Sequence, residues 1–143
     1  ALGGEKHFLV VTGPLGQPVT AAWVALDMQT AVIEMAAASG LALVPRLARN
    51  PLQATTFGTG ELMRAALDAG CRRIIVGMGG SATSDGGTGM AQALGVRFLD
   101  AGGRPLPAGV PALLNLAGID MSGLHPALAE AEVIAACDVS NPL

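Results

Sequence analysis

Aromatic and charged residues are scarce in this sequence of 143 residues. It contains no tyrosine, its aromatic residues amount to 3%, and its charged residues amount to 13%, against about 25% charged residues in a typical soluble domain. The net charge is −3, and one lysine and seven arginines are scattered along the chain. Nucleic-acid binding needs a basic surface and aromatic platforms for bases, so no nucleic-acid partner is predicted.

The chain also lacks the features of membrane and secreted proteins. Its most apolar window, residues 30–47, is interrupted by Glu34, Pro45 and Arg46, whereas a membrane-spanning helix needs about 20 predominantly apolar residues. No basic segment followed by an apolar stretch stands at the start, as a secretion signal would require. Cys71 and Cys137 are too few for a disulfide framework and lack the spacing of a metal knuckle. A cytoplasmic protein without a membrane partner is predicted.

Apolar side chains are abundant instead. Hydrophobic residues make up 51% of the chain, which is apolar for a free-standing soluble domain. We therefore expect part of the surface to be covered by protein outside these 143 residues, either the rest of a longer chain or, in a homo-oligomer, another copy. The chain starts at Ala1 rather than methionine and stops at Leu143 just after a strand-like segment, so both ends are predicted to be cut.

Apolar strands alternate with helices along the sequence, a pattern typical of the α/β class. Helices are predicted over residues 36–43, ended by Gly40, over the stretch from Thr59 to Gly70 with Thr59 as its cap, and over residues 88–94. Strands are predicted over residues 6–12, 18–26, 30–35, 73–77, 96–99 and 132–137. Residues 73–77 and 132–137 are continuous apolar runs, as in buried parallel strands. The prediction is an α/β fold with a mixed, largely parallel sheet and helices.

Residues 77–89 form a glycine-rich segment between a predicted strand and a predicted helix. Six of these thirteen residues are glycines, and Ser81, Thr83, Ser84 and Asp85 add hydroxyl and carboxylate groups. Ordering so many glycines is costly in entropy, and that cost is tolerated where a backbone must approach a ligand closely. Unhindered N–H groups before a helix bind anions, above all phosphate.

Three interpretations of this segment compete. The first is a purely structural connection in which Ser84 or Asp85 caps the following helix. The second is dinucleotide binding, because Gly77-x-Gly79-x-x-Ala82 fits the nucleotide-binding fingerprint and Asp100 ends the next predicted strand, where a ribose-binding acid would stand.

The third interpretation is a phosphate or carboxylate cradle of another design. It is not the P-loop of the Walker A type, because that loop needs a lysine and the only lysine, Lys6, is far from the glycines. A non-enzymatic interaction domain, which would use the apolar surface, is a further alternative.

Several segments resemble the type I glycerate kinase family in order and spacing. They are residues 30–41, residues 49–52 followed by 55–62, residues 77–89, residues 92–95, and residues 136–139 with 141–143. Members of that family are more than twice as long and carry further glycine-rich motifs upstream and downstream. The resemblance implies that residues 1–143 are a partial region of a two-domain α/β kinase with its active site between the domains. The region is then expected to be inactive alone.

The resemblance implies that the parent enzyme transfers a phosphoryl group from ATP, with Mg²⁺, to glycerate, with the 2-hydroxyl as the expected acceptor. Asp85 and Asp138 are the candidates for the catalytic base or for magnesium ligands, since each follows a predicted strand or precedes a helix in the ligand-binding region. Asn141 is a candidate contact of a substrate hydroxyl. The residues expected to cradle the phosphates or the glycerate are Gly79, Gly80, Ser81, Thr83, Ser84 and Gly86.

Two further charged side chains have ambiguous roles. Glu34 ends an apolar run and is expected to be partly buried, whereas an edge position facing solvent is an equally good interpretation. Arg49 could bind an anion, although a solvated loop arginine is the simpler interpretation.

Overall fold

A computed structural model describes residues 3–137 as one five-stranded sheet with helices, plus a separate two-stranded ribbon. The strand order in the main sheet is β1-β2-β3-β4-β7. Its strands are β1 (Glu5–Thr12), β2 (Pro18–Ala25), β3 (Thr30–Glu34), β4 (Arg73–Gly77) and β7 (Glu132–Ala136). The sheet pairs β1 with β2 and β2 with β3 antiparallel, and β3 with β4 and β4 with β7 parallel. The predicted α/β class and mixed sheet are confirmed.

Residues 3–137 contain three α-helices: α1 (Met35–Ser39), α2 (Phe57–Asp68) and α3 (Thr88–Ala93). Helix α2 begins at Phe57, two residues before the predicted cap Thr59, whose side chain is fully buried inside the helix packing. The prediction of Thr59 as a cap is therefore wrong. The helix is amphipathic, and Leu62, Met63 and Leu67 point into the core against the sheet.

One face of the sheet carries the hydrophobic core. Alternate residues of the strands are buried there beneath α1 and α2, because successive side chains of a strand point to opposite faces. These residues include Val11, Ala21, Trp23, Ala31, Ile33, Ile74 and Val76. The β-branched residues of β3 and β4 suit this half of the pleated surface.

The ribbon formed by β5 (Arg97–Leu99) and β6 (Gly118–Asp120) departs from the predicted topology. Strand β5 was expected to continue the α/β alternation, but it pairs antiparallel with β6 and leaves the position beside β4 to β7. Sequence reasoning missed β6 because three residues, Gly-Ile-Asp, are too few to show alternation. Val96, Phe98 and Leu106 form a small apolar cluster beside this ribbon.

Strand β7 was predicted to be buried, and that prediction is wrong for the residues described. It lies at the edge of the sheet, and Val133 retains 48% of its exposure. No element among residues 3–137 pairs with its outer side. An apolar edge strand is a template for pairing with further chain.

The second face of the sheet is apolar and uncovered by any helix among the described residues. Phe8 and Val10 on β1 keep 69% and 68% of their exposure. The register brings further members of this open face together, namely Ala22, Val24, Val32, Ile75 and Ile134. Monomeric proteins rarely expose contiguous apolar patches of this kind. Within the described part of the chain, no helix is long and apolar enough to cross a bilayer.

Replacing Phe8 tests whether this face is open. We expect Phe8→Ser to change the free energy of unfolding by no more than about 0.5 kcal/mol in the 143-residue chain, because Phe8 packs against little. It should also reduce self-association and binding of a hydrophobic dye. Leu9→Ser is the matched control, since Leu9 packs against the core, and we expect it to cost more than about 1 kcal/mol. Equal destabilisation by both changes, measured by urea unfolding, would contradict an open face.

Candidate active site

The glycine-rich segment leaves the sheet where three parallel strands end side by side. Glu34, Gly77 and Ala136 share one register position at the carboxyl ends of β3, β4 and β7. A groove of about 700 Å³ opens there, which we call the strand-end groove. Its lining is Glu34, Ala36, Gly77, Met78, Gly79, Gly80, Ala136 and Cys137. Open α/β sheets bind ligands beyond the carboxyl ends of their strands, so this groove is the first candidate site.

The first half of the glycine-rich loop is anchored to the end of α1. The N–H of Leu41 donates to the carbonyl of Gly80 at 2.9 Å, and the N–H of Ala82 donates to the carbonyl of Ser39 at 2.9 Å. Gly80 has a φ of +70°, which favours glycine. The hydroxyls of Ser39 and Thr59, both fully buried, lie 2.9 Å apart and hold α1 on α2 beneath this anchor.

Asp85 anchors the second half of the loop. Its carboxylate is 2% exposed. One oxygen, Oδ2, accepts hydrogen bonds from the N–H of Thr56 at 2.8 Å, from the Thr56 hydroxyl at 2.9 Å and from the N–H of Gly89 at 3.2 Å. The other oxygen, Oδ1, accepts from the N–H of Gly87 at 3.1 Å. Four donors therefore surround one buried charge, as burial of a charge requires.

Thr56 extends this network to the next helix. Its hydroxyl accepts a hydrogen bond from the N–H of Met90 at 2.9 Å while donating to Asp85. A side chain at Gly89 would collide with the Thr55 hydroxyl and approach Oδ2 of Asp85 to 2.9 Å. The absence of a Cβ at this position is thus required for α2 and α3 to start together.

These bonds bear on the roles predicted for Asp85. The structural interpretation is partly realised, because the carboxylate accepts from Gly87 and Gly89 at the start of α3. Its role as a base or a magnesium ligand stays a prediction; Oδ2 already accepts three hydrogen bonds and Oδ1 accepts one. Among residues 3–137, no group of three or more His, Cys, Asp or Glu side chains could hold a metal ion.

The remaining predicted residues divide between two sides of the loop. Gly79 and Gly80 line the strand-end groove, whereas Ser81, Thr83 and Ser84 line a second cavity of about 220 Å³. The hydroxyls of Ser81 and Thr83 lie 2.8 Å apart. Gly86, exposed with a φ of +62°, lies in the turn that leads to α3. The structure therefore divides the predicted cradle residues between two spaces, and Gly86 lines neither of them.

Two predicted residues, Asp138 and Asn141, lie outside the described residues. Of the two interpretations of Glu34, the structure agrees with the solvent-facing one, because Glu34 is exposed at the rim of the strand-end groove. Ser39, Thr56 and Thr59, which hold the loop from below, were not identified as functional. The only signal for Thr56 was its membership of the segment 55–62 that resembles the kinase family.

The dinucleotide interpretation is not favoured. Its acidic residue, Asp100, follows β5 of the separate ribbon rather than a strand of the main sheet. The Asp100 carboxylate accepts from the backbone N–H groups of Gly102 and Arg104 and from the Arg104 side chain. The backbone N–H of Arg104 is the main group that holds the pKa of Asp100 below its ordinary value. Helix α3 also begins at Thr88, well beyond Ala82 and the fingerprint.

Comparison with known proteins identifies the family of the chain. The model of the glycerate kinase family matches residues 1–143. The chain belongs to the glycerate kinase family. All of this chain aligns with glycerate kinase of Bacillus subtilis (strain 168) at 61% identity. Of this chain, 99% aligns with glycerate 2-kinase of Escherichia coli (strain K12) at 54% identity.

The fold agrees with a solved structure of the same family. A crystal structure from Salmonella typhimurium LT2, assigned provisionally as glycerate kinase 2, superposes with a TM-score of 0.92 at 53% identity and covers 97% of this chain. The chain corresponds to only 37% of that protein, and to 38% of the Bacillus subtilis kinase. Family membership is therefore established for a region that spans about two fifths of its relatives.

Asp85→Asn tests the network around the buried carboxylate. We expect it to lower the free energy of unfolding by about 2–4 kcal/mol. An asparagine carries no charge, and its amide NH₂ group would face the N–H and O–H donors that surround Asp85. Urea unfolding provides the measurement. Ser84→Ala is the control, since Ser84 is exposed and makes no hydrogen bond within the described residues. Unchanged stability in Asp85→Asn with loss of catalysis would favour the catalytic role over the structural one.

Proposed function

We propose that the protein containing this chain transfers the terminal phosphoryl group of ATP to a hydroxyl of glycerate. The observation that carries the proposal is a set of unpaired backbone donors in the glycine-rich loop at the carboxyl end of β4. Membership of the glycerate kinase family supports the substrate. The name of the Escherichia coli relative, glycerate 2-kinase, supports the 2-hydroxyl as the acceptor.

The phosphates are proposed to bind along residues 79–81. The backbone N–H groups of Gly79, Gly80 and Ser81 donate no hydrogen bond to any described residue. Gly79 and Gly80 are exposed, and successive N–H groups without a protein partner can form a nest for anions. A Cβ at Gly79 would meet nothing within 4 Å, so the space in front of this backbone is open to a phosphate.

Deprotonation and magnesium binding are proposed to depend on Asp138. It stands two residues after the end of β7 in sequence, and β7 is a strand whose end lines the groove. A carboxylate near a substrate hydroxyl can orient it and accept its proton. Mg²⁺ would enter with ATP and neutralise phosphate charge. Asp85, whose carboxylate accepts four hydrogen bonds from Thr56, Gly87 and Gly89, is proposed to position the loop.

The site is proposed to be completed by further chain. Phosphoryl transfer needs cationic groups around the transferred phosphate, but the strand-end groove is lined by Glu34 and by no arginine or lysine among the described residues. The open face of the sheet and the exposed edge strand β7 also require cover. Residues 1–143 would thus form one wall of an active site between two domains, and would be inactive alone.

The first test compares the full-length protein with residues 1–143. We expect the full-length protein to release ADP from Mg²⁺-ATP only when glycerate is present, and the 143-residue chain to release none, because it lacks the cationic groups. Phosphorus NMR of the product would distinguish 2-phosphoglycerate from the 3-isomer. A folded full-length protein that leaves glycerate unchanged would overturn the proposal.

Gly79→Ala tests the phosphate cradle in the full-length protein. The new methyl group meets no neighbour, so we expect no change in the midpoint of unfolding. It would stand in the space proposed for the phosphates, and we expect the KM for ATP to rise at least about tenfold, a loss of roughly 1.4 kcal/mol. Gly3→Ala, also without neighbours within 4 Å, should behave as wild type. Unchanged kinetics in Gly79→Ala would exclude this backbone as the phosphate site.

A further inference from the structure

The cavity beside the second half of the glycine-rich loop has its own chemistry. It lies between residues 81–84 and the segment 49–54, with Leu15, Leu41 and Val44 as its apolar floor. Its polar lining consists of Arg49, Asn50, Ser81, Thr83 and Ser84. An apolar floor with a few converging polar groups is the usual form of a small-molecule site. We call it the Arg49 cavity.

The volume of the Arg49 cavity restricts its ligand. At about 220 Å³, it falls below the range of about 300–1,000 Å³ typical of sites for drug-sized ligands. A nucleotide does not fit such a space, whereas a three-carbon acid does. The strand-end groove, at about 700 Å³, is the larger of the two spaces that border the loop.

The charge of the cavity comes from Arg49. Most other arginines are engaged: Arg64, Arg73, Arg97 and Arg104 pair with acids, and Arg72 donates to backbone carbonyls. Arg49 forms no ion pair or hydrogen bond with any residue of the range 3–137. Its planar guanidinium can bind a carboxylate through two parallel hydrogen bonds.

Local bonds hold the segment that presents Arg49. The side chain of Asn50 accepts from the N–H of Leu52 at 3.1 Å, and the carbonyl of Asn50 accepts from the N–H of Gln53 at 3.0 Å. This turn fixes the backbone next to Arg49. Across the cavity, the exposed Ser84 hydroxyl forms no hydrogen bond within the described residues and can donate to a ligand oxygen.

We propose that the Arg49 cavity binds the carboxylate of the hydroxy acid substrate, with Arg49 as its cation. This proposal rests on the proposed function and deepens it. The strand-end groove is lined by Gly79 and Gly80 and the Arg49 cavity by the next residues of the loop, from Ser81 to Ser84, so a substrate held by its carboxylate in the Arg49 cavity would lie beside phosphates held on residues 79–81. The two halves of one loop then bind the two substrates, and Arg49 selects acids over neutral polyols.

The test uses the full-length protein with Arg49→Gln, Arg49→Lys and the matched control Arg46→Gln. Arg46 is an exposed neighbour that also forms no ion pair among residues 3–137, but it does not line the cavity. Dissociation constants for glycerate would be measured by equilibrium dialysis, and KM values for glycerate and ATP by ADP release. Glycerol serves as the neutral analogue.

We expect Arg49→Gln to weaken glycerate binding about 10- to 100-fold, the range for losing hydrogen bonds to a charged group. The KM for ATP should stay within about twofold. The dissociation constant of Arg49→Lys for glycerate should lie between those of wild type and Arg49→Gln, because an ammonium keeps the positive charge but cannot form the two parallel hydrogen bonds of a guanidinium. Arg46→Gln should match wild type, and the preference for glycerate over glycerol should decrease only in the Arg49 variants.

The outcomes separate this proposal from the proposed function. Glycerate turnover in wild type with equal constants in Arg49→Gln and Arg46→Gln would overturn the cavity proposal alone. A rise in the KM for ATP in place of that for glycerate would also overturn it, because Arg49 would then bind phosphate. Arg49-dependent binding of glycerate without phosphoryl transfer would support the cavity and overturn the kinase proposal.

Discussion

The structure around the candidate site depends on the burial of one carboxylate. Asp85 brings a charge to 2% exposure, and its four hydrogen bonds join the start of α2 to the start of α3. An unpaired charge at that depth would cost several kcal/mol, so the donors of Thr56, Gly87 and Gly89 must all be present at once. The geometry of the loop end follows from this requirement, and so does the absence of a side chain at Gly89.

Hydrogen bonds at the start of the glycine-rich loop complement those of Asp85 at its end. Gly80 and Ala82 are hydrogen-bonded to the residues that end and follow α1, and Asp85 is hydrogen-bonded to Thr56 at the start of α2. The loop is therefore held at both ends. A glycine-rich loop free at either end would lose much conformational entropy on binding a ligand. Here the entropy is lost when the protein folds rather than when a ligand binds. The N–H groups of residues 79–81 are then already ordered and donate to no described residue. Preorganised donors of this kind are what anion binding and charge stabilisation require.

The sequence predicts the local parts of this arrangement and misses the distant ones. The apolar strand before the loop, the loop itself and α3 are recognisable, because their signals lie within a few neighbouring residues. The bond between Thr56 and Asp85 joins positions 29 residues apart, and no local pattern indicates it. Asp100 shows the reverse error: its spacing fits a dinucleotide site, but β5 lies in another sheet. The exposure of β7 could not be predicted either. Its apolar residues indicate a buried strand, but the sequence does not indicate which part of the protein would cover it.

The distribution of charge explains why this region is expected to act only with further chain. The strand-end groove presents Glu34, and a carboxylate repels phosphates unless cations intervene. Arg73, Arg97 and Arg104 are paired with acids elsewhere. Neither Arg46 nor Arg49, which lies by the small cavity, lines this groove. In the proposed site, the described residues would therefore offer backbone donors to phosphate and a guanidinium to a carboxylate, but no cation for the charge that develops during transfer. Because the same sheet exposes an apolar face and an apolar edge, the chain that covers them is also the natural source of that cation.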